Sequence, residues 1–355
     1  AHSMVPRCQK QELQRRRNND KKEKSDAYGV ALFHDTDSFI YRPATSLYGT
    51  LMYMKIATYN VRNLYDPGTF IDSTKTDAVT EAFFRERVQY FTTLFRQLDL
   101  DVICLQEIGG EQAVKEISEA LGYTYVLAKP NSRGIRVGVL FKKALENNIT
   151  ATSTAFPPLA LPSVQVVGDT AQLPPIHGRR DVLVIDIEGV LERPLRVITF
   201  HLKSLLPEYL EGDNTENDPI AFTEAKFRAV LYKMLELRAL RTLANTSIQE
   251  GKEVIFLGDF NEHNNSSGLD ILKSGLTEDL RLSDVLVGYA EDKTTHIHRG
   301  NRLTFDTLIV SPWIRENVAR VSVENKTLKD YSGLPQGAIE HEVESDHALV
   351  FIDIV

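Results

Sequence analysis

Short apolar runs recur along residues 54–355 of this 355-residue chain, and they constrain its fold more than any other feature. Each run is a few residues long, is rich in Val, Ile, Leu and Phe, and gives way to polar or helical sequence, as buried strands do. The predicted strands are Met54–Tyr59, Val102–Leu105, Val137–Phe141, Val182–Ile187, Arg196–Leu202, Val254–Leu257, Thr304–Val310 and Ala348–Ile354.

Helical periodicity separates several of these strands. Apolar residues recur every three or four positions over 84–98 and again over 227–240, which predicts that one side of each helix, including Phe227, faces a core. The segment 109–121 is a third predicted helix, closed by Gly122. Strands alternating with helices predict a single α/β domain.

Three polar segments interrupt or precede this pattern. Residues 9–24 carry many charges and almost no apolar side chain, so we predict that 1–53 is a solvated N-terminal extension of a domain over 54–355. Residues 152–180 and 206–220 are rich in Pro and polar residues and are predicted loops. Loops of such length in a compact domain are often functional.

Composition narrows the class of protein. The two cysteines, Cys8 and Cys104, exclude a disulfide framework or a Cys-based metal site. No apolar run is long enough to predict stable membrane insertion. No secretory signal opens the sequence, which favours a cytoplasmic location, although removal of a signal would leave the same sequence in a secreted protein. The net charge of −8 does not attract polyanions.

Polar side chains capable of chemistry stand at the ends of the predicted strands. Because side chains alternate along a strand, Glu107 is predicted to share the face of Ile103 and Leu105. Residues at strand ends sit on a rigid scaffold, so they are expected to gather into a site. The candidates are Asn60, Glu107, His201, Asp259, Asn261, Asp306, Asp346 and His347.

Carboxylate and amide oxygens dominate this set, and such ligands suit Mg²⁺, with Mn²⁺ as a possible substitute. Phosphate ester cleavage needs charge neutralisation, an activated water and help for the leaving oxygen. Each residue also has a structural explanation when taken alone: Asn60 suits a turn, Glu107 a helix N-terminus and His201 a core position. Their combination in one order favours a shared site.

Six motifs together carry a family resemblance. They are Y-N-V-R-N (59–63), L-Q-E (105–107), H-L-K-S (201–204), G-D-F-N (258–261), F-D-T-L-I-V-S (305–311) and S-D-H-A (345–348). In this order they resemble the endonuclease/exonuclease/phosphatase superfamily, which includes pancreatic-type DNases, abasic endonucleases, neutral sphingomyelinases and inositol polyphosphate 5-phosphatases. The resemblance implies a DNase I-like α/β fold, a four-layer sandwich of two packed mixed β-sheets flanked by helices.

The resemblance also implies roles for the strand-end residues. Glu107 would be the principal metal ligand, with Asn60 and Asp346 close to the metal or the phosphate. Asp259 would activate the attacking water, and Asn261 would hold the phosphate. The remaining roles fall to His347 at the scissile phosphate, Asp306 as its orienting partner, and His201 as the second histidine of the DNase and sphingomyelinase branches.

The segment R-G-I-R-V-G-V-L-F (133–141), taken with H-L-K-S, resembles bacterial nuclease-like members, which are often secreted and typically have Asp where this chain has Arg136. Arg133 and Lys203 then become candidate phosphate contacts. Arg62 would add positive potential at the mouth of the site, and His263 would border the substrate groove. Each of these also suits an ordinary surface position.

The leading function is therefore metal-dependent hydrolysis of DNA or RNA by a nuclease. The runner-up is a phosphatase or phosphodiesterase acting on a small molecule, such as an inositol phosphate or a phospholipid head group, which the acidic net charge favours. A third possibility is a binding scaffold that has lost catalysis, which the complete set of catalytic residue types disfavours. We expect a monomer.

Overall fold

The computed structural model describes residues 53–69, 78–154, 180–209, 218–263, 265–289, 291–334 and 342–355. Residues Leu51–Val355 form one compact unit. The predicted extension 1–53 lies outside the described residues except for Tyr53, and most of the predicted loop 152–180 lies outside them too.

Fourteen strands and five helices make up the described part of the chain. The strands are β1 (Met54–Leu64), β2 (Val102–Ile108), β3 (Tyr123–Leu127), β4 (Arg136–Lys142), β5 (Ile149–Thr154), β6 (Val182–Ile187), β7 (Leu195–His201), β8 (Glu253–Asp259), β9 (Ser283–Asp284), β10 (His296–His298), β11 (Asn301–Leu303), β12 (Asp306–Val310), β13 (Val318–Glu324) and β14 (Leu349–Ile354). The helices are α1 (Glu81–Leu98), α2 (Glu111–Leu121), α3 (Pro219–Gln249), α4 (Ser267–Lys273) and α5 (Pro312–Asn317), with 3₁₀ turns at Lys143–Asn148 and Glu278–Leu280.

Two six-stranded mixed sheets form the centre of the fold. The first has the order β13-β14-β1-β2-β4-β3 and the second the order β5-β6-β7-β8-β12-β9. The pairs β1–β2 and β7–β8 are parallel, and the other pairs within these two sheets are antiparallel. Strands β10 and β11 form a separate hairpin.

The sheets pack face to face, and helices cover their outer faces. Between the sheets lies one apolar cluster, which includes Ile56, Leu257 and Val350. A second cluster joins α1 and α2 to the first sheet, and a third joins α3 and α4 to the second sheet. Because side chains alternate along a strand, each sheet has one face in the central cluster and one face under the helices. Phe256 points to the helices, while its neighbour Leu257 points between the sheets. The predicted four-layer α/β sandwich is confirmed.

Edge strands account for most of the strands that the sequence pattern did not predict. Strands β3, β5, β9 and β13 lie at the edges of the two sheets. An edge strand is less covered than a central one; β3, for example, has no fully buried residue. It therefore lacks the continuous apolar run by which the central strands were recognised.

The helix predictions succeed for α1 and α2 and fail in part for α3. Gly122 ends α2 in the left-handed conformation, at φ 71°. Helix α3 begins at Pro219, capped by Asp218, so the predicted loop 206–220 ends earlier. The prediction that Phe227 faces the core is wrong, because it is 62% exposed. The buried side of α3 runs through Ala225 and Ala229, and a residue two positions further along the helix points away from it.

Among the described residues, no helix combines the length and the apolar character that crossing a bilayer requires.

Candidate active site

Six strands converge on one end of the space between the two sheets. Strands β1, β2, β7 and β8 end there, while β12 and β14, which run antiparallel to them, begin there. The pairing register sets His201 of β7 beside Asp259 of β8, and Asp259 beside Asp306 of β12. The strand ends therefore deliver the predicted polar residues to one level of the fold.

The carboxylate of Asp259 lies at the centre of this group and is 2% exposed. Its Oδ1 accepts a hydrogen bond from the backbone N–H of Asn261 at 2.7 Å. Its Oδ2 accepts from the side-chain amides of Asn60 at 3.0 Å and Asn261 at 3.2 Å. Because Asn60 lies on the first sheet, Asp259 also ties the two sheets together at the site.

Two histidines flank Asp259. The Nε2 atom of His201 lies 3.3 Å from Oδ2 of Asp259, and the Nε2 atom of His347 lies 3.9 Å from the same oxygen. The amide Nδ2 of Asn261 lies 3.1 Å from Nε2 of His201 and donates to the carbonyl of Leu202 at 3.2 Å. Asn261 adopts a left-handed backbone, at φ 49°, which turns the chain back toward His201.

Glu107 also contacts this cluster of polar side chains, because the backbone of β2 is irregular at Glu107. Its Oε1 accepts from the amide of Asn60 at 3.3 Å, and its Oε2 accepts from the N–H of Asn63 at 3.0 Å. The prediction that it shares the face of Ile103 and Leu105 is wrong, because those two residues belong to the cluster under the helices. Glu107 has φ 62°, and this left-handed conformation breaks the alternation of the strand.

His347 is held by contacts on several sides. Its Nδ1 donates to Oδ2 of Asp306 at 2.7 Å, and its backbone N–H donates to the hydroxyl of Ser345 at 3.1 Å. The Ser345 hydroxyl in turn donates to the carbonyl of Asn60 at 2.6 Å. The ring of His347 packs 4.7 Å from the ring of His296, measured between centroids. These contacts fix both the orientation and the tautomer of His347.

The environment shifts the pKa values of the two histidines in opposite directions. Burial lowers the pKa of His201 well below its ordinary value, and the charge of Arg180 lowers it further. Burial also lowers the pKa of His347, but the charges of Asp306 and Asp259 outweigh it and raise that pKa well above its ordinary value. Burial raises the pKa of Asp259. Opposite shifts in neighbouring groups are the pattern of an acid–base site.

The donor set fits a divalent cation. Suitable ligand atoms of Glu107, His201 and Asp259 lie within 4.8 Å of one another. Oδ1 of Asp346 and Oδ1 of Asp306 are buried without a hydrogen-bond partner among the described residues, which is costly for carboxylate oxygens unless a cation faces them. Oxygen-rich sites of this kind suit hard cations, so these side chains can hold a metal ion.

The four predicted substrate contacts occupy different surroundings. Arg133 is exposed, and His263 is also exposed, with its ring 5.6 Å from Phe305. Arg62 is 7% exposed, donates to the carbonyl of Glu342 and lies over the ring of Tyr331.

Lys203 is engaged within its own loop. Its ammonium donates to the carbonyls of Ser204 and Leu206, both at 3.1 Å, and lies 3.5 Å from Glu208. The structure therefore brings the eight strand-end candidates together, while Arg62 and Lys203 serve the loops beside them.

Sequence reasoning missed Arg180, which approaches the site from the segment preceding β6. Its Nη1 donates to the carbonyls of His201 and Leu202, both at 3.1 Å. Burial lowers the pKa of Arg180, and the charges of Glu107, Glu236 and Asp259 oppose that shift. Arg180 falls in a segment that the sequence predicted to be a loop, and no motif marked it.

The two packed mixed sheets between helical layers, with a carboxylate, amide and histidine site at one end of the paired strands, define a DNase I-like α/β sandwich. The sequence model of the endonuclease/exonuclease/phosphatase family matches residues 57–349, so the chain belongs to that family and the predicted membership is confirmed. Members of this family hydrolyse phosphoric esters. No curated protein matches the sequence.

Solved structures of low sequence identity were compared with this fold. A family protein from Bacteroides thetaiotaomicron is 16% identical with a TM-score of 0.50, over 85% of this chain and 97% of its own. A mannosyl-6-phosphatase from the same organism is 16% identical with a TM-score of 0.50, over 85% of this chain and 99% of its own. A Neisseria 3′ phosphatase bound to a product DNA hairpin is 18% identical with a TM-score of 0.49, over 85% of this chain and 99% of its own. At 16% identity, the likeness to the two Bacteroides structures shows the fold alone.

Proposed function

We propose that this protein is a divalent-metal-dependent phosphodiesterase that hydrolyses DNA or RNA. The observation that carries the proposal is the carboxylate of Asp259, which is fixed by two asparagine side chains and flanked by His201 at 3.3 Å and His347 at 3.9 Å. A fixed acceptor between two histidines provides for both proton transfers that ester hydrolysis requires, one from water and one to the leaving oxygen.

The cation would be held by Glu107, with Asn60 and Asp346 beside it. A bound Mg²⁺ or Mn²⁺ ion neutralises charge on the phosphoryl oxygens. Glu107 is suited to this role because its left-handed backbone turns it away from the helices and toward Asn60, where Oε1 and Nδ2 are 3.3 Å apart.

Asp259 would orient the attacking water and accept its proton. The backbone N–H of Asn261 and the amide of Asn60 occupy fixed positions on its two oxygens, so the carboxylate cannot rotate freely. Holding a water in one orientation lowers the entropic cost of attack. A carboxylate whose pKa burial raises is also a stronger base than an exposed one.

His347 would donate a hydrogen bond from Nε2 to a phosphate oxygen or to the leaving oxygen. Its Nδ1 is bound to Asp306, which leaves Nε2 directed into the site. The Asp306 carboxylate favours the protonated imidazole, so the proton is available near neutral pH. Asn261 and His201 also lie beside Asp259 and would contact the other phosphoryl oxygens.

The choice of nucleic acid over a small substrate is supported by the segment 133–141 taken with H-L-K-S, which resembles bacterial nuclease-like members. Exposed Arg133 would contact a further phosphate. A small phosphorylated molecule is the second candidate, favoured by the net charge of −8 and by the engagement of Lys203 with its own loop.

A paired assay tests the proposal. The full chain is incubated with plasmid DNA, with single-stranded RNA and with a panel of sugar phosphates, inositol phosphates and phosphomonoesters, each with Mg²⁺, Mn²⁺ or a chelator. We expect metal-dependent cleavage of DNA or RNA that is lost in Asp259→Ala. Turnover of small phosphoesters alone would replace the first candidate with the second, and full activity in chelator would contradict the metal-dependent mechanism.

A further inference from the structure

Helix α3 carries a lysine that the catalytic assignment does not use. Lys233 is 0% exposed, although it lies on the face of the helix that packs against the second sheet among alanines and leucines. Its ammonium donates to the backbone carbonyl of Asn261 and lies 3.6 Å from Oε2 of Glu262. Burying an ammonium group is costly, so packing alone would favour an apolar side chain here.

One turn along the same helix face, a second buried charge holds a second loop. Glu236 is 1% exposed, and its Oε2 accepts the backbone N–H of Lys203 at 2.8 Å. Lys203 lies two residues after His201, at the point where β7 has ended. Residues three apart on a helix lie on one side of it, so Lys233 and Glu236 can hold adjacent loops at the same time.

The two loops are the ones that follow the parallel strands β7 and β8. The first begins directly after His201, the last residue of β7, and the second carries Asn261. They are joined directly by the amide of Asn261, which donates to the carbonyl of Leu202 at 3.2 Å. Lys233 therefore binds the backbone carbonyl of Asn261, while the backbone N–H of Asn261 contacts Asp259 and its side-chain amide contacts His201. Asn261 has φ 49°, a conformation that costs free energy and persists only where surrounding contacts maintain it.

We propose that Lys233 and Glu236 are positioning residues, which set Asn261 and His201 against Asp259 by fixing the backbones of both loops from one turn of helix α3. The proposal rests on the proposed function for its catalytic consequence, but its structural part stands on the contacts alone. Loss of either contact would loosen one loop without removing any group that touches the substrate.

The test uses the full chain and two measurements. Glu236→Leu removes the acceptor for the Lys203 amide, whereas Glu236→Gln keeps an acceptor oxygen of the same reach. Lys233→Met removes the donor to Asn261, and Lys252→Met is its matched control. Lys252 lies directly before the first residue of β8, at the end of the strand away from Asp259, and it pairs with Asp186. Its replacement therefore also breaks an ion pair but leaves the site intact.

The first measurement is residue-resolved amide hydrogen exchange without substrate, at a temperature where every variant is folded. We expect exchange at the Asn261 amide to rise at least tenfold in Lys233→Met, and exchange at the Lys203 amide to rise likewise in Glu236→Leu. Glu236→Gln and Lys252→Met are expected to leave both amides as in the wild type. Unchanged exchange in Lys233→Met and Glu236→Leu would overturn the proposal.

The second measurement is steady-state kinetics on whichever phosphoester the wild type cleaves. We expect kcat to fall about 10–100-fold in Lys233→Met and Glu236→Leu with KM changed by less than about threefold, as for residues that orient catalytic groups. Glu236→Gln should retain most of the wild-type kcat. An unchanged kcat, or an equal loss in Lys252→Met, would overturn the positioning role. A wild type inactive on all phosphoesters would contradict the proposed function instead, and hydrogen exchange would still decide the loop contacts.

Discussion

Nδ1 of His347 and Oδ2 of Asp306 lie 2.7 Å apart, and neither side chain is more than 9% exposed. His347 enters the site from the segment before β14 and Asp306 from the start of β12. The contact therefore joins the segment that leads into β14 of the first sheet to β12 of the second sheet. A buried carboxylate on one ring nitrogen leaves the other nitrogen with a defined role. The pair therefore offers a direct test of how the site works.

Replacing Asp306 by Asn keeps the size of the side chain and removes its charge. We expect kcat to fall by at least about 100-fold, because the imidazole loses the partner that fixes its tautomer and stabilises its protonated form. In the metal-free protein, the pKa of His347 should fall, since the Asp306 charge raises it in the wild type. Kinetics and NMR titration of the histidine ring measure the two effects.

The matched control for this variant is Asp270→Asn. Asp270 is 71% exposed and pairs only with Lys273 among the ion pairs of the described residues. Its replacement should change neither kcat nor the titration of His347. A wild-type rate in Asp306→Asn would contradict the orienting role of the carboxylate.

Strand alternation explains the positions of Asp259 and Asp306 in the site, but it does not explain that of Glu107. Asp259 lies two residues after Leu257 in a strand whose pairing register with β7 is continuous, so both share the face between the sheets. Glu107 adopts φ 62°, and a single left-handed residue moves the following side chains to another face. Nothing in the pattern of apolar residues marks that conformation, because Glu rarely adopts it and the stabilising contacts come from Asn60 and Asn63.

Metal binding should stabilise the protein, because the carboxylates of the site repel one another until a cation lies between them. At about ten times its dissociation constant, Mg²⁺ or Mn²⁺ would stabilise the fold by about 1.4 kcal/mol. For a chain of this size we expect Tm to rise by roughly 2 °C. Glu107→Gln should abolish most of the rise, because the site loses the charge that we assign to the cation.

Thermal melting with and without the ion measures this effect, and Glu119→Gln is the matched control. Glu119 lies on α2 with its side chain 65% exposed, so the ion should stabilise this variant as it does the wild type. An equal rise in Tm for Glu107→Gln and the wild type would show that Glu107 is not the principal ligand.

Arg180 should matter for activity although no motif marked it. Its Nη1 donates to the carbonyls of His201 and Leu202, and the charges of Glu107 and Asp259 favour its protonated form. We expect Arg180→Met to lower kcat/KM by about tenfold or more, because the loop of His201 loses a charged donor. In the metal-free protein, the pKa of His201 should rise, since removing a positive charge makes protonation easier.

Steady-state kinetics and ring titration test this prediction, with Arg193→Met as the control. Arg193 is 52% exposed and pairs with Glu253 at the far end of β8. Its loss should leave kcat/KM and the pKa of His201 unchanged. If Arg180→Met had wild-type kinetics, Arg180 would contribute to the fold alone.

Asp186 should make stability depend on pH through contacts remote from the site. Its two carboxylate oxygens accept from Arg196 at 2.7 and 2.8 Å, and Lys252 donates to it at 2.6 Å. Burial raises the pKa of Asp186, but these hydrogen bonds outweigh it and hold the pKa below its ordinary value. The contribution to stability is therefore complete above the unfolded-state pKa of about 3.9 and is lost as pH falls through the lower folded-state pKa.

We expect Asp186→Asn to lower the free energy of unfolding by about 1–2 kcal/mol at pH 7, a value that allows for partial solvent screening of the pair. The difference from the wild type should shrink as pH falls below about 4, because the wild-type carboxylate is then protonated too. Urea unfolding between pH 7 and pH 2 measures it. Exposed Asp279, replaced by Asn, should give a smaller difference with little pH dependence. A difference for Asp186→Asn that stayed constant over this range would mean that lost packing, rather than lost charge, destabilises the variant.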